Sequence, residues 1–147
     1  MALASSDRPL NVLIAVDNPG DVYLVREALS QTGLAFTVVV QQDGEDMFRL
    51  VSEIQDDPAA KPPDIVLLDQ NLPRTNGENI LEKIRKSSKF NRVPVVIVTS
   101  SDSPRDREAV KRLGGDRYFR KPADYDEFMK LGGVVAEVLR TDKHETF

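Results

Sequence analysis

Five short runs of apolar residues, rich in valine and isoleucine, most constrain how this chain folds. They are residues 12–16, 36–40, 65–68, 95–98 and 118–119. Most are continuous apolar runs, which are typical of parallel strands covered on both faces. Between them, apolar residues recur with helical spacing. The sequence therefore predicts an α/β fold of the (βα)₅ type, with right-handed crossovers and helices on both faces of a parallel sheet.

Four helix starts are marked by capping patterns. Asn18 and Ser103 are each followed by proline, which is favoured in the first helical turn. Thr75 and Asp124 each have a glutamate three residues later, as in a capping box. We therefore expect a helix to begin directly after each of these four residues.

The composition indicates one globular domain. The chain has 147 residues, a net charge of −4 and no cysteine, which excludes thiolate metal sites and disulfides and argues against a basic nucleic-acid-binding face. No apolar run reaches the ~20 residues of a membrane span, and the start does not resemble a signal peptide. We expect a cytoplasmic protein with a domain at 10–140, polar tails at 1–9 and 141–147, no output domain, and no nucleic-acid or membrane partner.

Polar side chains follow the ends of the predicted strands. Asp17 and Asp69 come directly after the first and third strands, Thr99 ends the fourth, and Lys121 follows the fifth. Each alone has an ordinary explanation, such as a cap, a helix-dipole partner, a strand residue or an exposed lysine. In parallel sheets, however, the carboxyl ends of the strands form the functional edge, so we expect these four residues to lie together.

Their chemistry suits phosphoryl transfer. A carboxylate such as Asp69 can accept a phosphoryl group covalently. Asp17, Asp69 and the backbone carbonyl of Asn71 are oxygen ligands of the kind that Mg²⁺ takes. The hydroxyl of Thr99 and the ammonium of Lys121 can bind phosphoryl oxygens. The peptide bond between Lys121 and Pro122 is also a candidate for the cis form.

Several segments together resemble the receiver domains of two-component response regulators. They are residues 13–21, 63–73, 94–100 and 118–122, together with Gly77 as a structural position. The resemblance covers about residues 10–140, and the stretch 18–29 is most similar to single-domain, phytochrome-associated regulators.

The resemblance implies a flavodoxin-like doubly wound sheet of order 2-1-3-4-5. It also implies Mg²⁺-dependent transfer of a phosphoryl group from a sensor histidine kinase to Asp69, with Lys121 pairing with the phosphate. In the implied switch, Thr99 is drawn to the phosphate and Tyr118 changes position. The face formed by the fourth helix, fifth strand and fifth helix is then remodelled, and it is also a candidate homodimer surface.

One departure from the family pattern concerns the metal site. Receivers usually carry two adjacent acids after the first strand, whereas this chain has Val16 before Asp17. The missing acid usually acts through a metal-bound water, so we expect weaker Mg²⁺ binding rather than none. Asp21, one helical turn further on, could compensate in part, although complementing the helix dipole is its more ordinary role.

We expect an active receiver to be a phosphoacceptor that assists its own phosphorylation and dephosphorylation, and not an enzyme. Two other functions compete with this interpretation. The first is a degenerate receiver that acts as an interaction domain without phosphorylation, which Val16 favours. The second is an aspartate-nucleophile phosphohydrolase, which needs an acid two residues after its nucleophile. That position is Asn71, so the sequence argues against the hydrolase.

Overall fold

Five parallel strands form one sheet in the order β2-β1-β3-β4-β5. The structure, a computed structural model, describes residues 8–142. The strands are β1 (Leu10–Ala15), β2 (Phe36–Gln41), β3 (Ile65–Leu68), β4 (Val95–Thr99) and β5 (Arg117–Arg120). The helices are α1 (Pro19–Ser30), α2 (Gly44–Asp56), α3 (Gly77–Lys86), α4 (Pro104–Arg112) and α5 (Tyr125–Asp142). The predicted fold class and strand order are confirmed, and every strand lies within two residues of its predicted bounds.

Alternate residues of each central strand pack on opposite faces of the sheet. In β1, Ile14 joins a core cluster with α1 and α5, whereas Leu13 joins a second cluster with α2 and α3. Both faces of β3 are buried throughout, which explains why its sequence is apolar without alternation. The two clusters hold the sheet between helices on both sides, as the sequence predicted.

Three of the four predicted helix caps are confirmed. Asn18 Oδ1 accepts from the backbone N–H of Gly20 at 2.7 Å, and Ser103 and Asp124 cap α4 and α5 in the same way. The expected cap at Thr75 is wrong by one residue. Asn76 caps α3 instead, because its side chain accepts from the N–H of Asn79 at 3.0 Å.

Helices α1 and α5 approach each other closely through a glycine. A Cβ atom placed on Gly132 of α5 would lie 2.3 Å from the carbonyl oxygen of Ala28 in α1. On the next residue, Gly133, a Cβ atom would meet nothing within 4 Å. Gly132 therefore sets the spacing of the two helices, whereas Gly133 does not.

The chain ends differ slightly from expectation. Helix α5 runs through Asp142 and so includes the first two residues assigned to the C-terminal tail. Arg8, assigned to the N-terminal tail, binds Asp64 through two hydrogen bonds of 3.1 Å. Residues 1–7 and 143–147 lie outside the described part of the chain. Within that part, no helix has the length and apolar character that a membrane crossing requires.

Candidate functional site

Asp69 and Lys121 form an ion pair at the carboxyl edge of the sheet. Oδ2 of Asp69 accepts a hydrogen bond from Nζ of Lys121 at 2.6 Å, and both side chains are largely buried. Oδ1 of Asp69 accepts from the backbone N–H of Asn71 at 2.9 Å. A buried carboxylate needs such partners, and here they fix its orientation.

The backbone explains why these two residues meet. The N–H of Asp69 donates to Ala15 O at 2.9 Å and the N–H of Lys121 to Thr99 O at 2.7 Å. These bonds continue the strand ladders one residue past the ends of β3 and β5, so the two residues stay in line with their strands. Gly77 packs directly against the backbone of Asp69, since a Cβ atom on Gly77 would lie 2.5 Å from the carbonyl oxygen of Asp69.

Lys121 has a second carboxylate partner, Asp21. Its Nζ donates to Oδ2 of Asp21 at 2.8 Å, so one ammonium group joins the start of α1 to Asp69. Burial on its own lowers the pKa of Lys121, but the hydrogen bonds that Lys121 donates to Asp21 and Asp69, together with the charges of both carboxylates, outweigh it, and the pKa is raised. Lys121 is therefore a fixed cation. Sequence reasoning gave Asp21 only a minor place, because its spacing equally fits the helix dipole.

The other predicted metal ligands, Asp17 and the carbonyl oxygen of Asn71, are not hydrogen-bonded to other described residues. Asp17 is exposed and forms no hydrogen bond or ion pair with any residue in 8–142. The carbonyl oxygen of Asn71 likewise accepts no hydrogen bond from the described residues. Two carboxylates and a carbonyl are hard oxygen donors that fit Mg²⁺, whose other ligands are commonly waters and phosphate oxygens. Nowhere in residues 8–142 do three acidic or histidine side chains converge on one cation position, so protein side chains alone do not fill such a coordination shell.

Val16, which stands in the place of the usual acid, belongs to the core. Its side chain is fully buried in the cluster formed with α1 and α5. An acid at this position would need a partner or solvent, and valine needs neither. The departure seen in the sequence is therefore matched by apolar packing.

Thr99 and Tyr118 lie on the path from this edge towards α4. Thr99 is fully buried, and its Oγ1 accepts from the N–H of Ser101 at 3.4 Å. The hydroxyl of Tyr118 lies 2.9 Å from Ser101 O, and its ring lies 4.4 Å from the guanidinium carbon of Arg107. Ser101 also donates to the carboxylate of Asp106 in α4. The loop between β4 and α4 therefore connects both predicted switch residues.

Sequence reasoning missed Gln70, a buried polar residue directly after Asp69. Its Oε1 lies 3.2 Å from the hydroxyl of Tyr118, and its Nε2 lies 3.4 Å from the carbonyl oxygen of Asp106. A glutamine at the end of a buried strand is itself a signal, because a buried amide needs partners.

A second missed feature is the anchoring of the loop that carries Asn71. Asp43 binds Arg74 through Oδ2 and Nε at 2.6 Å, and the N–H of Gly44 donates to Pro73 O at 2.9 Å. Arg74 has a φ of +72°, a conformation that costs a non-glycine residue about 1–2 kcal/mol. The β3–α3 loop is thus attached to the start of α2.

The cis form considered for the bond before Pro122 is not present. No cis peptide bond occurs between residues 8 and 142, and trans is the lower-energy form even before proline. With the trans bond, Lys121 already reaches Asp69.

The fold and the site place the chain in the class of doubly wound α/β proteins that carry a buried aspartate–lysine pair at the carboxyl edge of the sheet. Comparison with known proteins identifies the family within this class. The family model of the response regulator receiver domain matches residues 12–131. The chain therefore belongs to the response regulator receiver family and is a receiver domain of two-component signalling. Receiver domains are phosphoacceptors, and they interact with histidine kinases.

Several relatives consist largely of this one domain. The chain is 26% identical to response regulator Rcp1 of Synechocystis sp., covering 86% of each chain. It is 29% identical to protein PilH of Pseudomonas aeruginosa, covering 84% of this chain and 95% of PilH. The phosphorylated cyanobacterial phytochrome response regulator RcpA superposes with a TM-score of 0.81 at 25% identity, over 91% of this chain and 96% of RcpA. The Mn²⁺-bound form of Rcp1 superposes with a TM-score of 0.80 at 26% identity, over 90% and 96%. The predicted likeness to phytochrome-associated single-domain regulators is thereby confirmed.

Proposed function

We propose that Asp69 of this chain accepts a phosphoryl group from a sensor histidine kinase and that the modified domain switches a protein-interaction surface. The observation that carries the proposal is the buried ion pair between Asp69 and Lys121. A carboxylate placed between a fixed cation and an open, oxygen-rich edge is suited to accept phosphate, because phosphoryl transfer depends on positioning and charge neutralisation. We propose residues 10–140 as the unit that does this.

In the transfer, an oxygen of Asp69 forms a bond to phosphorus as the bond from phosphorus to the kinase histidine breaks. The ammonium of Lys121, already 2.6 Å from Asp69, neutralises charge on the phosphoryl oxygens. The hydroxyl of Thr99 is the donor that we propose on the β4 side. Because Asp69 is buried, these donors act where water competes little.

The cation that we propose for this edge is Mg²⁺, held by Asp17, Asp69 and the carbonyl of Asn71. When bound it would neutralise charge on the transferring phosphoryl group. The Mn²⁺-bound structure of Rcp1 supports a divalent cation here. We infer weaker Mg²⁺ binding than in receivers with two adjacent acids, because Val16 contributes no outer-sphere carboxylate.

We propose that the response to phosphorylation runs through Thr99 and Tyr118 to the face formed by α4, β5 and α5. Phosphorylation replaces the single carboxylate charge of Asp69 with a phosphoryl group that carries roughly −1.5 to −2 charges. Such a change in charge and position can shift an equilibrium between two arrangements. The contacts of Ser101 with Thr99, Tyr118 and Asp106 support this route. The same face is our candidate for the homodimer and for the downstream protein partner.

Incubation with a small phosphodonor and Mg²⁺ tests the proposal by intact-protein mass spectrometry. We expect one added phosphoryl group, lost in Asp69→Asn and kept in Asp56→Asn, which changes an exposed acid far from the site. Absence of the modification at high Mg²⁺ would contradict the proposal and favour the phosphorylation-independent interaction domain.

A further inference from the structure

Asp21 is the second carboxylate of Lys121, and it is not the acceptor. The ammonium lies 2.8 Å from Asp21 and 2.6 Å from Asp69. The side chain of Lys121 is only 12% exposed, and Asp21 reaches it from a different element, the first turn of α1. Two carboxylates from different elements thus hold one largely buried cation.

A helix-dipole role alone does not explain this geometry. Asp21 is the third residue of α1, and Asp46 is the third residue of α2. Asp46 complements its helix equally well but points to the surface, where it pairs with Arg49 and remains 44% exposed. Asp21 is 24% exposed and turns towards the carboxyl edge of the sheet. Its direction therefore needs another explanation.

We propose that Asp21 is a positioning residue, which holds the ammonium of Lys121 within the acceptor site before and after phosphorylation of Asp69. This rests on the proposed function of Asp69. Val16 supplies no carboxylate at the end of β1 and packs in the core. Asp21 provides the missing negative charge from the neighbouring helix, and it provides it to the lysine rather than to the metal.

The charges before and after transfer give the reason. When Asp69 becomes an acyl phosphate, its carboxylate charge is replaced by charge on the phosphoryl oxygens, which lie further out. Lys121 must then turn from Asp69 to those oxygens while its ammonium stays buried, and a buried charge needs a partner throughout. Asp21 is the partner that phosphorylation leaves unchanged.

The structure also separates this role from metal binding. Oδ2 of Asp21 is used by Lys121. Among the described residues, no three acidic side chains form a cluster able to hold a metal, so Asp21 does not join Asp17 and Asp69 in one. We therefore expect Asp21→Asn to leave the affinity for Mg²⁺ unchanged while it slows phosphorylation.

The experiment compares Asp21→Asn with Asp46→Asn, the same change at the equivalent position of α2. With a small phosphodonor, we expect the initial phosphorylation rate to fall about tenfold in Asp21→Asn, the size of one lost charged hydrogen bond. Asp46→Asn should keep the wild-type rate, and Asp21→Glu should recover part of the loss. Wild-type rates in Asp21→Asn, or a parallel loss of Mg²⁺ affinity measured by titration, would overturn the inference.

A second measurement needs no phosphorylation. The ammonium protons of Lys121, observed by NMR, should exchange faster with water in Asp21→Asn than in the wild type or Asp46→Asn. If the wild type takes up no phosphate, the proposed function fails, and this exchange rate still decides whether Asp21 holds the lysine. Unchanged exchange in Asp21→Asn would overturn the inference, and urea unfolding of each variant shows that it is folded.

Discussion

The hydroxyl of Tyr118 lies 3.2 Å from Oε1 of Gln70, the residue next to the proposed phosphoacceptor. The same hydroxyl lies 2.9 Å from the carbonyl oxygen of Ser101. A tyrosine hydroxyl has one proton, so the two acceptors share a single donor. Gln70 therefore links the acceptor strand to the aromatic residue that we expect to move.

Replacing Gln70 by leucine should release Tyr118 in part. Ser101 keeps the hydroxyl proton, so we expect a loss of about 0.5–1 kcal/mol and a several-fold higher population of the displaced tyrosine. The chain has three tyrosines, so ¹³C-tyrosine NMR of the unphosphorylated variant can resolve the change. Signals of Tyr23 and Tyr125 serve as internal controls. A Tyr118 signal identical to that of the wild type would show that Gln70 does not restrain it.

The two adjacent glycines of α5 give a matched pair of variants. Gly132→Ala places a methyl group 2.3 Å from Ala28 O, and such overpacking costs about 1–3 kcal/mol. Gly133→Ala meets nothing within 4 Å and should stabilise the chain by about 0.5–1 kcal/mol through helix propensity. Urea unfolding should therefore give shifts of opposite sign. Equal shifts would mean that the close approach of α1 and α5 is not what requires Gly132.

The pair of Asp43 and Arg74 predicts a dependence of stability on pH. The hydrogen bond from Arg74 holds the pKa of Asp43 below its ordinary value of 3.8. A lowered folded-state pKa stabilises the folded chain above the unfolded value, and the stabilisation is lost as the pH falls through the folded value. In Arg74→Met, we expect the loss of stability below about pH 4 to be shallower than in the wild type.

Arg74→Gly is the control for backbone strain in that experiment. It removes the same ion pair but relieves the φ of +72°, so it should be about 1 kcal/mol more stable than Arg74→Met at every pH. Thermal unfolding between pH 2 and pH 7 measures both effects. If the stability of Arg74→Met falls below about pH 4 as steeply as that of the wild type, the ion pair of Asp43 and Arg74 does not contribute to the pH dependence of stability.

Val16→Asp tests the weak metal site. The new carboxylate enters a fully buried position, so we expect about 1–3 kcal/mol of destabilisation without Mg²⁺. Added Mg²⁺ should raise the melting temperature of this variant more than that of the wild type, because ligands stabilise the state that binds them. Val16→Asn, polar but uncharged, is the matched control. An equal Mg²⁺ response in all three proteins would show that Val16 does not limit binding.

Most of the fold was predictable because its signals are local or regular. Strand β3 has four consecutive apolar residues buried on both faces, and the caps at Asn18 and Ser103 use chemistry that a sequence displays directly. The cap at Asn76 was misplaced because Thr75 and Asn76 are both good capping residues, and only the backbone decides between them. The strand order came from family resemblance, since apolar periodicity does not order parallel strands.

The site was predictable to the extent that it follows strand ends. Asp69 and Lys121 meet because each lies one residue beyond a strand of the same sheet. Asp21 and Lys121 are 100 residues apart in the sequence, and their pairing depends on the orientation in which α1 packs on the sheet. No pattern in the sequence encodes this orientation, and none shows that Gln70 contacts both Tyr118 and α4.

The glycine contact between α1 and α5 has a consequence for signalling. Asp21 lies in the first turn of α1, and Lys121 lies in the loop that leads into α5. Gly132 brings the two helices together about two turns further along. Because the helices are in such close contact at Gly132, we expect α1 and α5 to move together, with the ion pair of Asp21 and Lys121 near one end. We therefore expect a partner that tilts α5 to shift α1 as well and to change how firmly Lys121 is held, so that binding at α5 would alter the phosphorylation rate of Asp69 without contacting it.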